Sequence, residues 1–124
     1  DNSFDLVTIS FATRNINTSR ENLIKTVAEF HRILKPGGRY VNLETSQPSL
    51  SLMRKMMHFY VKIAVKPIGY LISGSRAGYT YLSQTIPRFY PPEEFASIIS
   101  ESGFSEVTYQ RLFGGGIAIH KAVK

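Results

Sequence analysis

The sequence predicts an α/β domain in which a parallel sheet ends in an antiparallel hairpin. A buried-strand pattern over Phe4–Phe11 precedes an amphipathic helical pattern, and a second strand pattern, Arg39–Glu44, begins directly after Pro36–Gly38. A strand, a helix and a strand in this order indicate a crossover unit, whose two strands run parallel. Two further strand patterns close the chain, and the three glycines Gly114–Gly116 that join them predict the hairpin.

The first strand and the first helix each have a local signal. Phe4–Phe11 is apolar and β-branched, as expected for a buried strand. Thr18 and Glu21 have the spacing of a capping box, so we expect a helix to follow them and to run to about Leu34. Its apolar residues recur at the helical period and form one stripe: Leu23, Val27, Phe30 and Leu34.

The segment Pro36–Gly38 predicts a tight reversal from helix to strand. Pro36 cannot continue a helix and biases Lys35 away from helical backbone angles. Gly37 and Gly38 can adopt the positive φ that such a reversal needs.

The middle of the chain is predicted to be a helical insertion over about residues 50–90. After a loop at Thr45–Ser51, residues 50–72 are rich in Met, Phe, Tyr and Ile, with Lys and Arg between them. Pro67 is expected to break or kink this helix. Gly74–Gly78 is predicted to be a flexible turn, and Tyr79–Phe89 to be partly helical.

The last third of the chain is predicted to be a helix followed by two strands. Pro91–Glu94 is a strong helix start, because proline suits the first turn and the acids complement the helix dipole. We expect this helix to end at Gly103. The strands of the hairpin are predicted over Phe104–Phe113 and Ile117–Val123.

Composition limits the classes of function. The chain has 124 residues, 43% of them hydrophobic, which is enough for one globular domain. It contains no cysteine, which excludes disulfides and thiolate metal sites, and its three histidines lack ligand spacing, so no metal site is predicted. No signal peptide pattern and no membrane-spanning run is found, and we expect a cytoplasmic location.

The net charge of +6 leaves two interpretations open. One is a solvated basic surface, and the other is a surface that meets an anionic membrane. The sequence shows neither an aromatic RNA-binding motif nor a helix-turn-helix pattern, so we expect no nucleic-acid partner.

Several motifs that occur together suggest a family. They are Asp1–Asp5 with Thr8–Phe11 and Arg14–Asn15, then Arg32–Arg39, Leu43–Pro48, Tyr79–Ile86 and Gly115–His120. Leu34–Gly38 alone is common among class I S-adenosylmethionine-dependent methyltransferases. The combination resembles the quinone-biosynthesis C-methyltransferases, which methylate demethylmenaquinone or the ubiquinone precursor ring, and the resemblance covers essentially the whole chain.

The resemblance implies the C-terminal half of a class I, Rossmann-like methyltransferase fold for residues 1–124. It implies a sheet order in which the first strand lies at the edge, followed by the second, the last and the penultimate strand. The family's glycine-rich cofactor loop and its acidic ribose-binding residue have no counterpart here, so we expect the chain alone to be inactive. An exposed edge at Phe4–Phe11 predicts a homo-oligomer, either by pairing or exchange with another copy through this edge or by close contact through the apolar segment 50–72.

The resemblance also implies a set of site residues around S-adenosylmethionine and a polyprenyl quinone substrate. The assigned residues are Ser10 and Phe11 for the cofactor, Asn15, Tyr79 and Tyr81 for the substrate, and Arg14, Glu44 and His120 for catalysis. An arginine stays protonated, so Arg14 would stabilise a phenolate or hold a water that takes the ring proton. Glu44 could orient Arg14 or the ring. For each of these residues an ordinary structural role remains the alternative.

Leu43–Pro48 departs from the family's common form and is similar to that of Gram-positive menaquinone enzymes, which implies demethylmenaquinol as the methyl acceptor. Two alternatives remain open: a methyltransferase of another small lipophilic acceptor, and a basic, non-catalytic binding or interaction domain. Residues 50–72 are either a core or lid helix, or an entrance for the polyprenyl tail beside anionic lipid at the inner face of the cell membrane.

Overall fold

A four-stranded mixed sheet organises the chain, and the computed structural model describes all 124 residues. The strands are β1 (Phe4–Ser10), β2 (Leu34–Thr45), β3 (Ser105–Leu112) and β4 (Ile117–Val123). The α-helices are α1 (Thr13–Ile16), α2 (Arg20–Ile33), α3 (Ser51–Tyr60), α4 (Lys66–Ser73), α5 (Arg76–Thr85) and α6 (Pro92–Glu101). A π-helical turn spans Val61–Val65, and short 3₁₀ turns span Ile86–Arg88 and Phe113–Gly115.

The sheet has the order β1-β2-β4-β3. β1 and β2 run parallel, and β4 runs antiparallel to both β2 and β3. The predicted crossover unit, the terminal hairpin and the strand order are therefore confirmed.

The helix-to-strand reversal differs from the prediction. α2 ends at Ile33, and β2 begins at Leu34, so Pro36–Gly38 is part of the strand rather than a separate turn. Gly37 has a φ of 75°, and its N–H donates to the carbonyl of Lys124 at 3.0 Å. The N–H of Lys124 in turn donates to the carbonyl of Gly38 at 2.9 Å. The glycines thus form an irregular strand end that pairs with the last residue of the chain.

The predicted capping box at the start of α2 is wrong. The capping residue is Ser19, whose hydroxyl accepts the N–H of Asn22 at 3.2 Å. Thr18 lies one residue too early, and its hydroxyl accepts from the side chain of Asn22 instead. Glu21 pairs with Lys25 on the exposed face of the helix.

The core lies on one face of the sheet, beneath α2 and α6. Its buried residues come from both helices, from β2 and β4 and from the segments that flank α6: Leu23, Val27, Leu34, Tyr40, Phe89, Phe95, Ile98, Ile99, Phe104 and Ala122. The opposite face of the sheet carries no helix of this chain. It holds a depression of about 660 Å³, whose lining includes Leu6, Arg39, Val41, Thr108 and Lys121 but none of the predicted site residues.

Residues 51–88 are helical for most of their length, and two details differ from the prediction. The helix from Ser51 runs through the π-turn into α4 without interruption, and Pro67 lies in the first turn of α4. The π-turn just before Pro67 absorbs the backbone change that was expected as a break or kink. Gly74, with a φ of 69°, ends α4, and α5 begins at Arg76, so the predicted turn is shorter than Gly74–Gly78.

The three glycines of the hairpin allow α3 to approach the sheet closely. A Cβ on Gly114 would lie 2.2 Å from the terminal methyl of Met53, and a Cβ on Gly115 would lie 2.9 Å from Cα of Pro48. Gly114 and Gly115 also have φ values of 65° and 97°. The positive φ favours glycine at both positions, and at Gly115 the nearby Cα of Pro48 also leaves no room for a side chain, which explains the motif without a ligand-binding role.

β1 lies at the edge of the sheet, and we predict that this edge mediates self-association. Its outer backbone groups are unpaired in the chain, and Phe4 and Leu6 are each 53% exposed. Leu6→Lys is therefore expected to shift the chain towards monomer in light scattering at high concentration. Gln110→Lys on β3, the other edge strand, serves as the control. A wild-type chain that stays monomeric would contradict the prediction.

Candidate functional site

The predicted site residues Ser10, Arg14 and Glu44 lie where β1 and β2 end at their carboxyl edge. Open α/β sheets bind ligands at this edge. After Ser10 the chain turns at Phe11, whose φ is 51° and whose N–H donates to the carbonyl of Leu43 at 2.8 Å. This turn leads directly into α1 and brings α1 over the end of β2.

Arg14 and Glu44 form a buried ion pair, as the sequence prediction for Glu44 allowed. The Nη1 of Arg14 lies 2.7 Å from Oε1 of Glu44, and the backbone N–H of Arg14 donates to Oε2 at 3.2 Å. The side chains are 10% and 2% exposed. Arg14 also lines a small depression of about 190 Å³, together with Asn17, Thr85, Arg88 and Phe89.

The remaining hydrogen bonds of Glu44 come from its neighbour in the chain. The N–H of Thr45 donates to Oε1 at 2.8 Å, and the hydroxyl of Thr45 donates to the same oxygen at 3.1 Å. Glu44 thus accepts three hydrogen bonds at Oε1 and one at Oε2. This geometry suits a residue that positions Arg14.

Arg14 itself keeps donors available. Its Nε is buried without a partner, and its Nη2 makes no hydrogen bond within the chain. An arginine whose one edge is fixed by a carboxylate can direct its other N–H groups at an anionic or phenolic oxygen. The small depression beside Arg14 is where such an oxygen would approach.

A buried hydrogen-bond cluster fixes α1 on the sheet. The hydroxyl of Thr13 donates to Oδ1 of Asn42, and the hydroxyl of Tyr40 donates to the same oxygen at 3.4 Å. Burial raises the pKa of Tyr40 well above its usual range, so its hydroxyl stays protonated as a donor. Because Thr13 directly precedes Arg14, this cluster sets the position from which Arg14 reaches Glu44.

The two predicted substrate residues of α5 have different positions. The hydroxyl of Tyr81 donates to Oδ1 of Asn15 at 3.0 Å, so the structure brings these two predicted residues together and links α5 to α1. The ring of Tyr79 instead packs on the backbone of Gly69, where an added Cβ would lie 2.0 Å from a ring carbon. Tyr79 thereby joins α5 to α4.

His120 lies in the core beneath α6 and is 2% exposed. Its Nε2 donates to the carbonyl of Pro92 at 2.8 Å, and its ring packs edge-on against Phe95 with centroids 4.8 Å apart. The Nδ1 of His120 has no hydrogen-bond partner. His120 lies opposite Asn42 in the register of β4 and β2, and the Nδ2 of Asn42 also has no hydrogen-bond partner. The structure does not bring His120 to the surface with Arg14, and these contacts support the structural alternative for it.

Stability is expected to fall as the pH drops through the histidine range. Burial lowers the pKa of His120 below its usual value of about 6.5, so the unfolded chain takes up the proton first. The stabilisation is complete above about pH 6.5 and is lost as the pH falls towards the lower folded-state pKa. Urea unfolding between neutral and mildly acidic pH measures this loss.

His120→Gln provides the control, since its amide can still donate to the carbonyl of Pro92 while carrying no titratable group. It should flatten the pH dependence of the unfolding free energy. Burial also lowers the pKa of His31, so this variant keeps a pH dependence of the same sign from His31. An unchanged pH profile in His120→Gln would show that His120 titrates normally in the folded chain.

The two predicted cofactor residues are exposed at the end of β1. Ser10 is exposed and makes no side-chain hydrogen bond within the chain. The ring of Phe11 is 40% exposed beside it. A free hydroxyl and an open aromatic face at the carboxyl edge of a parallel pair are suited to a polar, partly apolar ligand.

Sequence reasoning missed Thr13, Asn42 and the pair Gln47–His58. Oε1 of Gln47 lies 2.6 Å from Nε2 of His58, and its amide donates to the carbonyl of Ile86 at 2.9 Å, so it ties α3 to the end of α5. The alternation of Asn42 with apolar residues in a buried strand was an available signal. The role of Gln47 depends on contacts with two distant segments, so no signal in the sequence indicated it.

Comparison with known proteins matches the whole chain to one family. The family model of the ubiE/COQ5 methyltransferase family matches residues 1–124. The mitochondrial 2-methoxy-6-polyprenyl-1,4-benzoquinol methylase of Arabidopsis thaliana is 40% identical over all 124 residues, which cover 42% of that protein. The ubiquinone/menaquinone biosynthesis C-methyltransferase UbiE of Rickettsia bellii is also 40% identical, and the chain covers 48% of it. The chain thus spans less than half the length of these curated relatives.

Solved structures share the fold at low sequence identity. The human N-acetylserotonin methyltransferase in complex with SAM matches all of the chain with a TM-score of 0.59 at 15% identity, over 31% of that structure. A possible histamine N-methyltransferase from Thermotoga maritima matches all of it with a TM-score of 0.63 at 18% identity, over 57% of that structure. Both are S-adenosylmethionine-dependent methyltransferases, and the predicted fold class is confirmed.

Proposed function

Because the chain belongs to the ubiE/COQ5 methyltransferase family, we propose that its protein transfers a methyl group from S-adenosylmethionine to a ring carbon of a polyprenyl quinol. The observation that carries the proposal is the buried Arg14–Glu44 pair at the carboxyl edge of the sheet. It presents fixed N–H donors beside a small depression at the place where this fold binds its ligands.

The residues present fit one wall of a cofactor site. Ser10 offers an exposed hydroxyl without a partner, and Phe11 offers an open ring face directly after β1. Neither would need to break an existing contact to meet a ligand. When bound, S-adenosylmethionine supplies the electrophilic methyl group.

Arg14 supports the acceptor ring in this mechanism. A ring hydroxyl that approaches the depression meets the free N–H groups of the guanidinium, and these stabilise the negative charge as that oxygen becomes phenolate-like. The charge on the oxygen raises the electron density at the ring carbon that attacks the methyl group. The fixed guanidinium also orients the ring, so that the reacting carbon faces the cofactor side of the site.

Glu44 acts through Arg14 as a positioning residue. Its two oxygens accept from the side chain and the backbone of Arg14 and from Thr45, so the guanidinium plane is fixed before the substrate arrives. Asn15 and Tyr81 close the same region through their mutual hydrogen bond, which links the substrate-region helix α5 to α1. Once the ring carbon has gained the methyl group, it loses its proton to a water held by Arg14, and this water passes the proton to solvent. His120 is buried with its Nε2 bonded to the carbonyl of Pro92, so it is not placed to take this proton.

The acceptor we favour is demethylmenaquinol. The support is Leu43–Pro48, whose form is similar to that of menaquinone enzymes. The named relatives include proteins of ubiquinone as well as of menaquinone biosynthesis, so the two ring types are compared directly in the test below.

The test is methyl transfer by the full-length gene product from labelled S-adenosylmethionine. Reduced acceptors with short prenyl tails would be offered in parallel, one with a naphthoquinol ring and one with a methoxybenzoquinol ring. We expect product from the naphthoquinol and little from the benzoquinol. Transfer to neither ring, with transfer to another lipophilic acceptor or to none, would refute the proposal.

The 124-residue chain alone is expected to bind S-adenosylmethionine poorly. It contains no glycine-rich loop between a strand and a helix, and Gly114–Gly116 is occupied by packing against α3. Isothermal calorimetry on the isolated chain measures this directly. Micromolar binding by the chain would contradict the expectation.

A further inference from the structure

The net positive charge of the chain is confined to its helical insertion. Between Thr45 and Pro92 the sequence contains no acidic residue, whereas the rest of the chain carries nine basic and nine acidic residues. The whole excess of +6 therefore belongs to this segment. Its basic residues are Arg54, Lys55, Lys62, Lys66, Arg76 and Arg88. None of them forms an ion pair in the structure.

The same segment exposes a continuous apolar stripe, which we call the α3–α4 stripe. Its members are between 49% and 82% exposed: Leu52, Met56, Phe59, Ile63, Ile68 and Leu71. They follow one another at intervals of three or four residues, except for an interval of five between Ile63 and Ile68. That interval spans the end of the π-turn, Val61–Val65.

The π-turn keeps the stripe on one face. A π-helical turn bonds each residue to the fifth one along and so takes in one residue more than an α-helical turn. A step of five across Val61–Val65 therefore covers the same angle as a step of four elsewhere in the helix. Without this turn, Ile68 and Leu71 would rotate away from Leu52, Met56 and Phe59.

We propose that the α3–α4 stripe and its basic neighbours form a docking surface for an anionic lipid bilayer. An interfacial helix of this kind buries an apolar face at the boundary of headgroups and acyl chains, while its lysines and arginines meet anionic headgroups. Exposed apolar side chains and unpaired cations on one acid-free segment match both parts of such a surface. No helix of the chain has the length and apolarity to span a bilayer.

The docking surface is connected to the proposed active site. Tyr79 packs α5 onto Gly69 of α4, and Tyr81 two residues later bonds to Asn15 beside Arg14. A substrate with a polyprenyl tail would thus pass from the bilayer along α5 to the site. This connection rests on the proposed function, whereas the docking surface itself rests on exposure and charge alone.

The test is co-sedimentation of the full-length gene product with vesicles of phosphatidylcholine, either alone or mixed with phosphatidylglycerol. We expect binding to the mixed vesicles and little to the neutral ones. Lys62→Gln/Lys66→Gln should weaken binding by about 20- to 30-fold, since each cation near an anionic surface contributes about fivefold. Phe59→Ser/Ile63→Ser should weaken it by more than about tenfold through lost apolar burial.

Matched variants outside the segment serve as controls. Phe113→Ser removes an apolar residue that is 85% exposed, and Arg39→Gln/Lys121→Gln removes two exposed cations. Both should bind like the wild type. Equal binding to neutral and mixed vesicles, or an equal loss in the controls, would overturn the proposal.

Two further outcomes are informative. If the protein does not bind vesicles, and Phe59→Ser/Ile63→Ser abolishes self-association in light scattering, the surface is a contact between copies and the proposal is wrong. The vesicle assay contains no methyl donor, so it can fail while methyl transfer to short-tailed acceptors succeeds, and the reverse can also occur. Failure of the docking surface is therefore distinguishable from failure of the proposed function.

Discussion

Glu44→Ala is expected to destabilise the chain by about 3–5 kcal/mol, because it leaves the guanidinium of Arg14 without its counter-ion in a buried position. The side chain of Arg14 is 10% exposed and so has little access to water. The N–H and hydroxyl of Thr45 also lose their acceptor. Urea unfolding followed by far-ultraviolet circular dichroism measures the loss as a lower transition midpoint.

Glu101→Ala is the matched control. Glu101 also pairs with an arginine, Arg20, through two hydrogen bonds of 2.6 and 2.8 Å, but the two side chains are 46% and 45% exposed. An exposed pair contributes at most about 1 kcal/mol, so this variant should unfold near the wild-type midpoint. Equal losses in the two variants would show that the burial of the Arg14–Glu44 pair has no energetic consequence.

Arg14→Lys is expected to lower the turnover of the full-length gene product by about 10²- to 10³-fold, the effect of removing one preorganised donor to a developing oxyanion. A lysine keeps the positive charge, but its compact ammonium lacks the planar fork with which the guanidinium pairs with Glu44 on one edge and faces the ring oxygen with the other. The KM for S-adenosylmethionine should change little, since the proposed partner of Arg14 is the acceptor. Steady-state kinetics with each substrate varied in turn measures both quantities.

The control for this variant is Arg20→Lys, which makes the same chemical change at an exposed ion pair. It should retain wild-type turnover. The unfolding midpoint of Arg14→Lys, measured alongside, separates lost chemistry from lost stability. Wild-type turnover in a folded Arg14→Lys protein would remove Arg14 from the mechanism.

The positions of Arg14 and Glu44 were predictable because they follow from the fold. A residue directly after a parallel strand lies at the carboxyl edge of the sheet whatever the details of packing, which brings Arg14 near Glu44. His120 had no such constraint. Its strand was predicted correctly, but whether its ring faced solvent or the underside of α6 depended on the register of β4 and on the position of Pro92.

The sequence by itself determined the order of the elements, because each depends on local signals. Apolar periodicity marked α2 and the strands, the proline-glutamate start marked α6, and the triple glycine marked the hairpin. It also determined that the whole excess of positive charge lies in one segment without acidic residues. These features depend only on residues that are close together in the chain, so they can be identified from the sequence alone.

Only the tertiary structure decided which side chains act together. The buried pair Arg14–Glu44 and the hydrogen bond from Tyr81 to Asn15 join residues 30 and 66 positions apart. The π-turn that aligns the α3–α4 stripe was not predicted from any local sequence motif. Such contacts depend on how whole helices rest on the sheet, and this is fixed by the sum of many weak packing interactions rather than by any short stretch of sequence.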